Sequence, residues 1–298
     1  MSWTFSFCSI FRAFRNATKD ALSPPNQKPI VPSFRVWFKG SLVAGMFVAG
    51  LLSAVILIPG GQLLLGRGSK RWRDTLVVNW SRIVCEILKL RITISGHQDP
   101  EAGLIVSNHV SWLDIIAIGS KIPCQFVSKE DVAHWPIVGI IAKGIGTLFI
   151  RRGDAQQSSS VTETMAWLLK RGYRLAIFPE GTTSRGEGVL RFHSKLFWPA
   201  ELAGIKVQAL SLSYRHRAKT EAPFVDDDEF LPHLLRILRL PYIDLHLTYC
   251  DSIQGGLSYR EISKKTREQI LETLCPAQSP RPQPKGLLHK RHTTFTQA

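Results

Sequence analysis

The chain has 298 residues, enough for one sizeable domain with extensions. Its 38 Lys and Arg against 23 Asp and Glu give a net charge of +15 and a pI near 9.9, which points to a polyanionic partner: nucleic acid, an anionic membrane face or a phosphorylated substrate. The five cysteines are widely spaced and form no Cys-x-x-Cys pair, which argues against a disulfide framework or a zinc module and for a reducing compartment.

Residues 1–36 mix basic and aromatic residues with Pro24-Pro25 and Pro32, and read as a weakly ordered basic extension. A membrane segment and an amphipathic helix are expected over 37–90. Gly40 to Gly66 contains no charged residue, and as a helix these 27 residues would reach about 40 Å, enough to cross a bilayer. Both flanks are basic, so the positive-inside bias does not choose a side. A single span and a segment that dips into one leaflet and returns at Pro59-Gly60-Gly61 both remain open. From Trp72 the apolar positions Trp72, Leu76, Trp80, Ile83, Ile87 and Leu90 recur every three or four residues, the period of an amphipathic helix. Its tryptophans suit either the bilayer interface or a core packed on a sheet.

Residues 91–275 alternate strand-like and helix-like runs. Strands are expected at 91–95, 104–107, 125–128, 147–151, 174–178, 207–214 and 245–250, with helices at 112–120, 137–143, 159–171 and 197–203. The alternation predicts an α/β domain with a mainly parallel sheet flanked by helices. The acidic run Asp226-Asp227-Asp228-Glu229 reads as a solvated loop, and the basic, Pro-rich 276–298 as a disordered tail.

Chemistry concentrates in three clusters. The first is Asn108-His109-Val110-Ser111-Trp112-Leu113-Asp114, just after an apolar strand-like run. Inside one helix, five steps of about 100° would put His109 and Asp114 on different faces. They meet only if His109 sits on a loop and Asp114 on the first helical turn after it, where α/β sheets present chemistry. Gly146-Thr147-Leu148-Phe149-Ile150-Arg151-Arg152 ends a strand in two guanidiniums, which suit phosphate. Phe178-Pro179-Glu180-Gly181-Thr182-Thr183-Ser184 runs from a strand into a turn. No Gly-x-Ser-x-Gly motif is present, which argues against a serine hydrolase, and no His-Glu-x-x-His motif or His/Cys cluster supplies metal ligands.

In order and spacing these clusters resemble the blocks of the glycerolipid acyltransferases, specifically the 1-acyl-glycerol-3-phosphate (lysophosphatidate) acyltransferase family. The likeness spans roughly residues 90–215, with Val207-Gln208-Ala209-Leu210 at the fourth block. It implies that His109 and Asp114 are catalytic and that Arg152, Glu180, Gly181 and Thr182 bind the glycerol phosphate. It also implies no metal and no cofactor, with acyl-CoA or acyl carrier protein as co-substrate. Two positions depart from the pattern: Thr183 stands where the third block commonly has Arg, and Gln208 replaces the usual proline. Arg185, Arg191 and Lys195 are candidates to supply the missing charge; Lys129 could face the phosphate but reads better as a surface lysine. Arg151, His134 and His193 are expected to be structural or exposed.

The expected function is acyl transfer to the sn-2 hydroxyl of lysophosphatidate, giving phosphatidate, at the cytoplasmic face of a membrane. The partners are a membrane lipid acceptor and an anionic lipid surface, not nucleic acid. Thr183 keeps a different acceptor open, such as a lyso-ornithine lipid or a lysophospholipid. A non-catalytic binder using the positive charge would leave the base and its carboxylate unexplained.

Overall fold

The computed structural model describes residues 34–151 and 155–275. The expected tail at 276–298, and all of the N-terminal extension before Phe34, lie outside these residues. The first element, α1, runs over Phe34–Leu65 and is long and apolar enough to cross a membrane by length and composition. A π-helical turn at Ser53–Leu57 interrupts it just before Pro59. Such turns re-satisfy carbonyls near a residue that has no N–H to donate.

Helix α2, Ser69–Leu88, packs back beside α1. Both of its tryptophans donate to α1 carbonyls: Trp72 Nε1 to Leu57 O at 2.8 Å and Trp80 Nε1 to Met46 O at 2.7 Å. Gly50 and Gly61 make room, since a Cβ at either would press on the facing indole. Helix α2 buries Val84, Cys85 and Leu88 on the domain. Its tryptophans therefore serve the helix pair: Trp80 is half-buried against the core, while Trp72 stays exposed.

Seven strands follow: β1 Leu90–Ser95, β2 Ala102–Ser107, β3 Gln125–Lys129, β4 Leu148–Ile150, β5 Leu175–Ile177, β6 Lys206–Arg215 and β7 Ile243–Tyr249. They form one sheet in the order β1-β7-β6-β2-β5-β3-β4. The sheet is mixed. β2 to β6 run one way, β7 pairs antiparallel with β6, and β1 runs with β7. All seven expected strands are present, but the reversal of β1 and β7 is not visible in a strand's own residues.

Besides single helical turns at Glu130–Ala133 and Ala218–Glu221, the helices are α3 Leu113–Lys121, α4 Val138–Gly144, α5 Ala155–Lys170, α6 Trp198–Ala203, α7 Phe230–Arg239 and α8 Tyr259–Leu274. Two of them, α7 and α8, stand where the alternation placed none. Central strand β2 is buried on both faces, as parallel strands between helices require. Ile105 packs with α1, α2, α3 and α7, while Leu104 and Val106 pack with α5, α6 and α8. Each such side chain contributes about 1.5–3 kcal/mol through burial. The result is a rigid floor whose C-terminal edge carries the chemistry.

Candidate active site

The site begins where β2 stops. Ser107 pairs with Leu210, and then the ladder ends. The fully buried Asn108 continues it with its side chain: Nδ2 donates to Leu212 O at 2.9 Å, and Oδ1 accepts from Leu212 N at 2.8 Å. An amide can copy a backbone pair in this way because it has both a donor and an acceptor. The chain is thus pinned one residue before His109.

His109 stands on the loop and Asp114 on the first turn of α3, the arrangement the five-residue spacing requires. His109 Nδ1 lies 2.9 Å from Asp114 Oδ2. A carboxylate only accepts, so Nδ1 carries a proton, and in the neutral ring the lone pair is on Nε2. The ring stacks on Phe178 with centroids 4.0 Å apart, and Phe178 stacks in turn on Phe126. The imidazole is therefore held in its plane by an aromatic face and in its rotation by a carboxylate.

Asp114 is completely buried. A buried carboxylate needs several donors, and it has four. Oδ2 accepts from His109 Nδ1, from Val110 N at 2.7 Å and from Ser111 N at 2.9 Å. Oδ1 accepts from Tyr214 Oη at 2.7 Å. Its place in the first turn of α3 also sets the negative charge at the positive end of the helix. Tyr214 was not among the residues singled out from the sequence, and Asn108 was quoted there without a role.

The Phe178–Ser184 turn folds over the same loop. Glu180 is 4% exposed, and both of its oxygens are engaged by backbone amides. Oε1 accepts from His109 N at 2.9 Å and Oε2 from Leu190 N at 3.1 Å. Burial pushes its carboxyl above the ordinary value, against the pull of the two amides. Gly181 follows at φ +69°, a conformation in which a side chain would be strained. Ser184 N closes the loop by donating to His109 O at 2.8 Å.

Among the other expected residues, Thr182 is exposed on the turn, and Arg152 lies outside the described residues. Thr183 Oγ1 donates to Phe224 O. Arg185 pairs with Asp226 at 2.5 Å, and Arg151 makes a two-pronged contact with Glu130. Gln208 sits low in β6, joining His97 O, Cys250 O and Asp99 N, where it serves the sheet. Among the described residues no three His, Cys, Asp or Glu side chains form a group that could hold a metal ion.

Behind the loop, Trp112 Nε1 donates to Nδ1 of the buried His233 at 3.0 Å. His233 Nε2 faces the carbonyls of Ala222 and Pro223 at 3.1 and 3.2 Å, and Phe224 N donates to Val110 O. The imidazole must therefore be neutral, with its proton on Nε2. Burial lowers its pKa from the ordinary 6.5. The unfolded chain then binds the proton more readily than the folded one, so stability present above about 6.5 is lost as pH falls toward the depressed value. Thermal midpoints measured between pH 5 and 8 should fall on the acid side, and His233→Gln should flatten that slope.

With this geometry in view, comparison with known proteins is informative. A family model described as Acyltransferase matches residues 91–213. A lyso-ornithine lipid O-acyltransferase of Pseudomonas aeruginosa is 35% identical over 245 residues, covering 81% of this chain and 92% of that protein. A 1-acyl-sn-glycerol-3-phosphate acyltransferase of Neisseria meningitidis serogroup B is 31% identical over 202 residues, covering 66% and 79%. The crystal structure of the 1-acyl-sn-glycerophosphate acyltransferase PlsC from Thermotoga maritima superposes with a TM-score of 0.58, covering 84% of this chain and 100% of that one. At 17% identity, that likeness shows the shared fold. The chain belongs to the acyltransferase family that contains these proteins, and it is an enzyme of acyl transfer.

Proposed function

We propose that the protein moves a fatty acyl group from a thioester donor, acyl-CoA or acyl carrier protein, to a hydroxyl of a lyso-lipid, and that it prefers a zwitterionic acceptor of the lyso-ornithine type. His109 Nε2 takes the proton of the hydroxyl as its oxygen attacks the thioester carbonyl carbon. The carbon–sulfur bond then breaks, and the imidazolium returns the proton to the leaving thiolate. Asp114 fixes the tautomer and balances the charge of the imidazolium while it exists. The donor is already activated, so this route needs no acyl-enzyme, metal or cofactor.

The observation that carries the acceptor preference is Thr183. Its hydroxyl is spent on Phe224 O, at the position where the family block commonly offers a guanidinium to phosphate. The next cation along, Arg185, is already paired with Asp226. Beside this turn a cavity of about 410 Å³ is lined by Arg185, Glu221, Asp226, Asp227, Asp228 and Arg236, so carboxylates outnumber guanidiniums. Both guanidiniums of this lining are already paired, Arg185 with Asp226 and Arg236 with Asp228, so neither is spare for a phosphomonoester. The similarity to the Pseudomonas protein agrees with this reading.

Lysophosphatidate is the second reading, favoured by the Neisseria relative and by Arg152 at the arginine position of the second block. Purified enzyme assayed with both acceptors separates the two. Lyso-ornithine lipid should give the higher kcat/KM, and Thr183→Arg should improve lysophosphatidate use by about tenfold, the worth of one charge-assisted contact. Preference for lysophosphatidate would overturn the acceptor assignment, and transfer to no lyso-lipid would overturn the activity.

In this reading α1 attaches the enzyme to the membrane. Its start is tied to the domain by Arg35 to Pro241 O and Lys39 to Leu240 O, and its middle by the two α2 indoles. Phe34, Phe38, Val48, Val55, Ile56, Leu63 and Leu64 stay exposed. A helix held flat along its domain suits insertion into one leaflet better than a free span. The basic excess then favours an anionic, cytoplasmic leaflet. The Phe47, Phe230 and Trp112 rings, in edge contact, connect α1 to the His109 loop.

A further inference from the structure

We propose that Tyr214 is a positioning residue for acyl transfer, acting on His109 only through Asp114; this rests on His109 being the base. Tyr214 lies near the C-terminal end of β6, in register with Leu245 of β7, so its ring is anchored by two strands. The ring is 5% exposed, and its hydroxyl meets Asp114 Oδ1 at 2.7 Å. Asp114 Oδ2 is already occupied by His109 Nδ1 and two loop amides. With one oxygen on the imidazole side and the other on the phenol, the carboxylate cannot rotate about its Cβ–Cγ bond without losing a donor. Removing the phenol would leave Oδ1 buried with no partner. It would also free the group that aims the imidazole.

Burial and the charge of Asp114 push the Tyr214 hydroxyl well above its ordinary pKa. It therefore stays a donor at any pH the enzyme meets. Strand β6 also holds the other end of the loop, since Leu212, two residues earlier, carries the Asn108 amide pair. One strand thus fixes both flanks of the base: Asn108 before it and Asp114 after it. Neither link can be inferred from spacing, because Tyr214 is 100 residues from Asp114.

The test uses the full chain in lipid–detergent micelles with acyl-CoA and whichever lyso-lipid it acylates fastest. The variants are His109→Ala, Asp114→Asn, Tyr214→Phe, the Asp114→Asn/Tyr214→Phe double variant, and Tyr214→4-aminophenylalanine, which keeps a donor at the same place. Tyr214→Phe should lower kcat about tenfold, as expected for a loosened general base, with KM for both substrates unchanged. In the Asp114→Asn background the same change should cost nothing further, because residues acting as one unit are not additive. The 4-amino variant should recover most of the turnover. It also decides the matter if Tyr214→Phe fails to fold: a folded 4-amino variant near wild-type kcat supports the proposal, and a folded one at one-tenth or less overturns it. Wild-type kcat in Tyr214→Phe, or a loss that multiplies through in the double variant, overturns it as well. Full activity in His109→Ala would instead remove the assignment of the base, whatever Tyr214→Phe does.

Discussion

His109→Ala is expected to lower kcat by about 10²–10⁴-fold, the usual worth of a positioned general base. A lyso-lipid hydroxyl is a poor nucleophile near neutral pH, and its proton must leave as the new ester bond forms. In the structure the imidazole has one nitrogen spoken for, with Nδ1 held by Asp114, so the loss falls on the only nitrogen free to act. The ring is in contact with Phe178 but not deeply embedded, with 17% of its side chain exposed. Its removal should therefore disturb the fold little. Asp114→Asn should give a loss of similar order by a different route. The amide keeps one acceptor for the loop amides and can turn its NH₂ toward the Tyr214 hydroxyl, but it no longer balances an imidazolium. Steady-state assays of acyl transfer, with circular dichroism and membrane flotation as controls for folding and attachment, check both. Wild-type turnover in either variant would contradict the assignment.

Glu180→Gln is the second large effect expected. The resemblance made Glu180 a substrate-binding residue, yet its two oxygens are engaged by His109 N and Leu190 N in a buried position. Glutamine offers one acceptor and one donor in the same space, so one of those amides must face an NH₂ group. A buried donor left without an acceptor costs about 1–3 kcal/mol. One of the two amides at stake is that of His109 itself, and a shift of about 1 Å in a reacting group can cost about 10²-fold in rate. The expected result is a kcat lower by about that factor, a lowered thermal midpoint and an unchanged KM for the acceptor. A raised acceptor KM with unchanged kcat would instead return Glu180 to substrate contact.

The parts of the site that can be read from the sequence are those formed by neighbours in the chain. His109 and Asp114 lie five residues apart across a strand–loop–helix boundary, and that boundary alone brings them together. Glu180 and Gly181 were identifiable as a turn, but what the carboxylate holds depends on how β2 and β5 lie side by side. Tyr214 left no local signal, since a Tyr in a strand is ordinary, and Asn108 showed only as the first residue of the His109 cluster, without its role. They matter only because β6 pairs with β2.

The fold shows the same division. Strand positions follow from apolar runs, whereas the reversal of the β1–β7 pair lies in which strands pair across the sheet, β7 antiparallel to β6 and β1 parallel to β7, which no single run encodes. The acidic run Asp226–Glu229 is the loop expected there, and Asp228 ties it to Arg236 of α7, which starts just beyond the run. Helix α8 was not among the expected helices, although Ser258 and Glu261, which form a capping box at its start, are a signal the sequence carries.

Chemical rescue tests most directly the claim that one loop-borne imidazole activates the acceptor hydroxyl. In His109→Gly, assayed with the preferred lyso-lipid and acyl-CoA, turnover should be nearly absent and should rise with added imidazole, which fills the vacated space and supplies the missing lone pair. A glycine variant that turns over at the wild-type rate with no imidazole present would contradict the account.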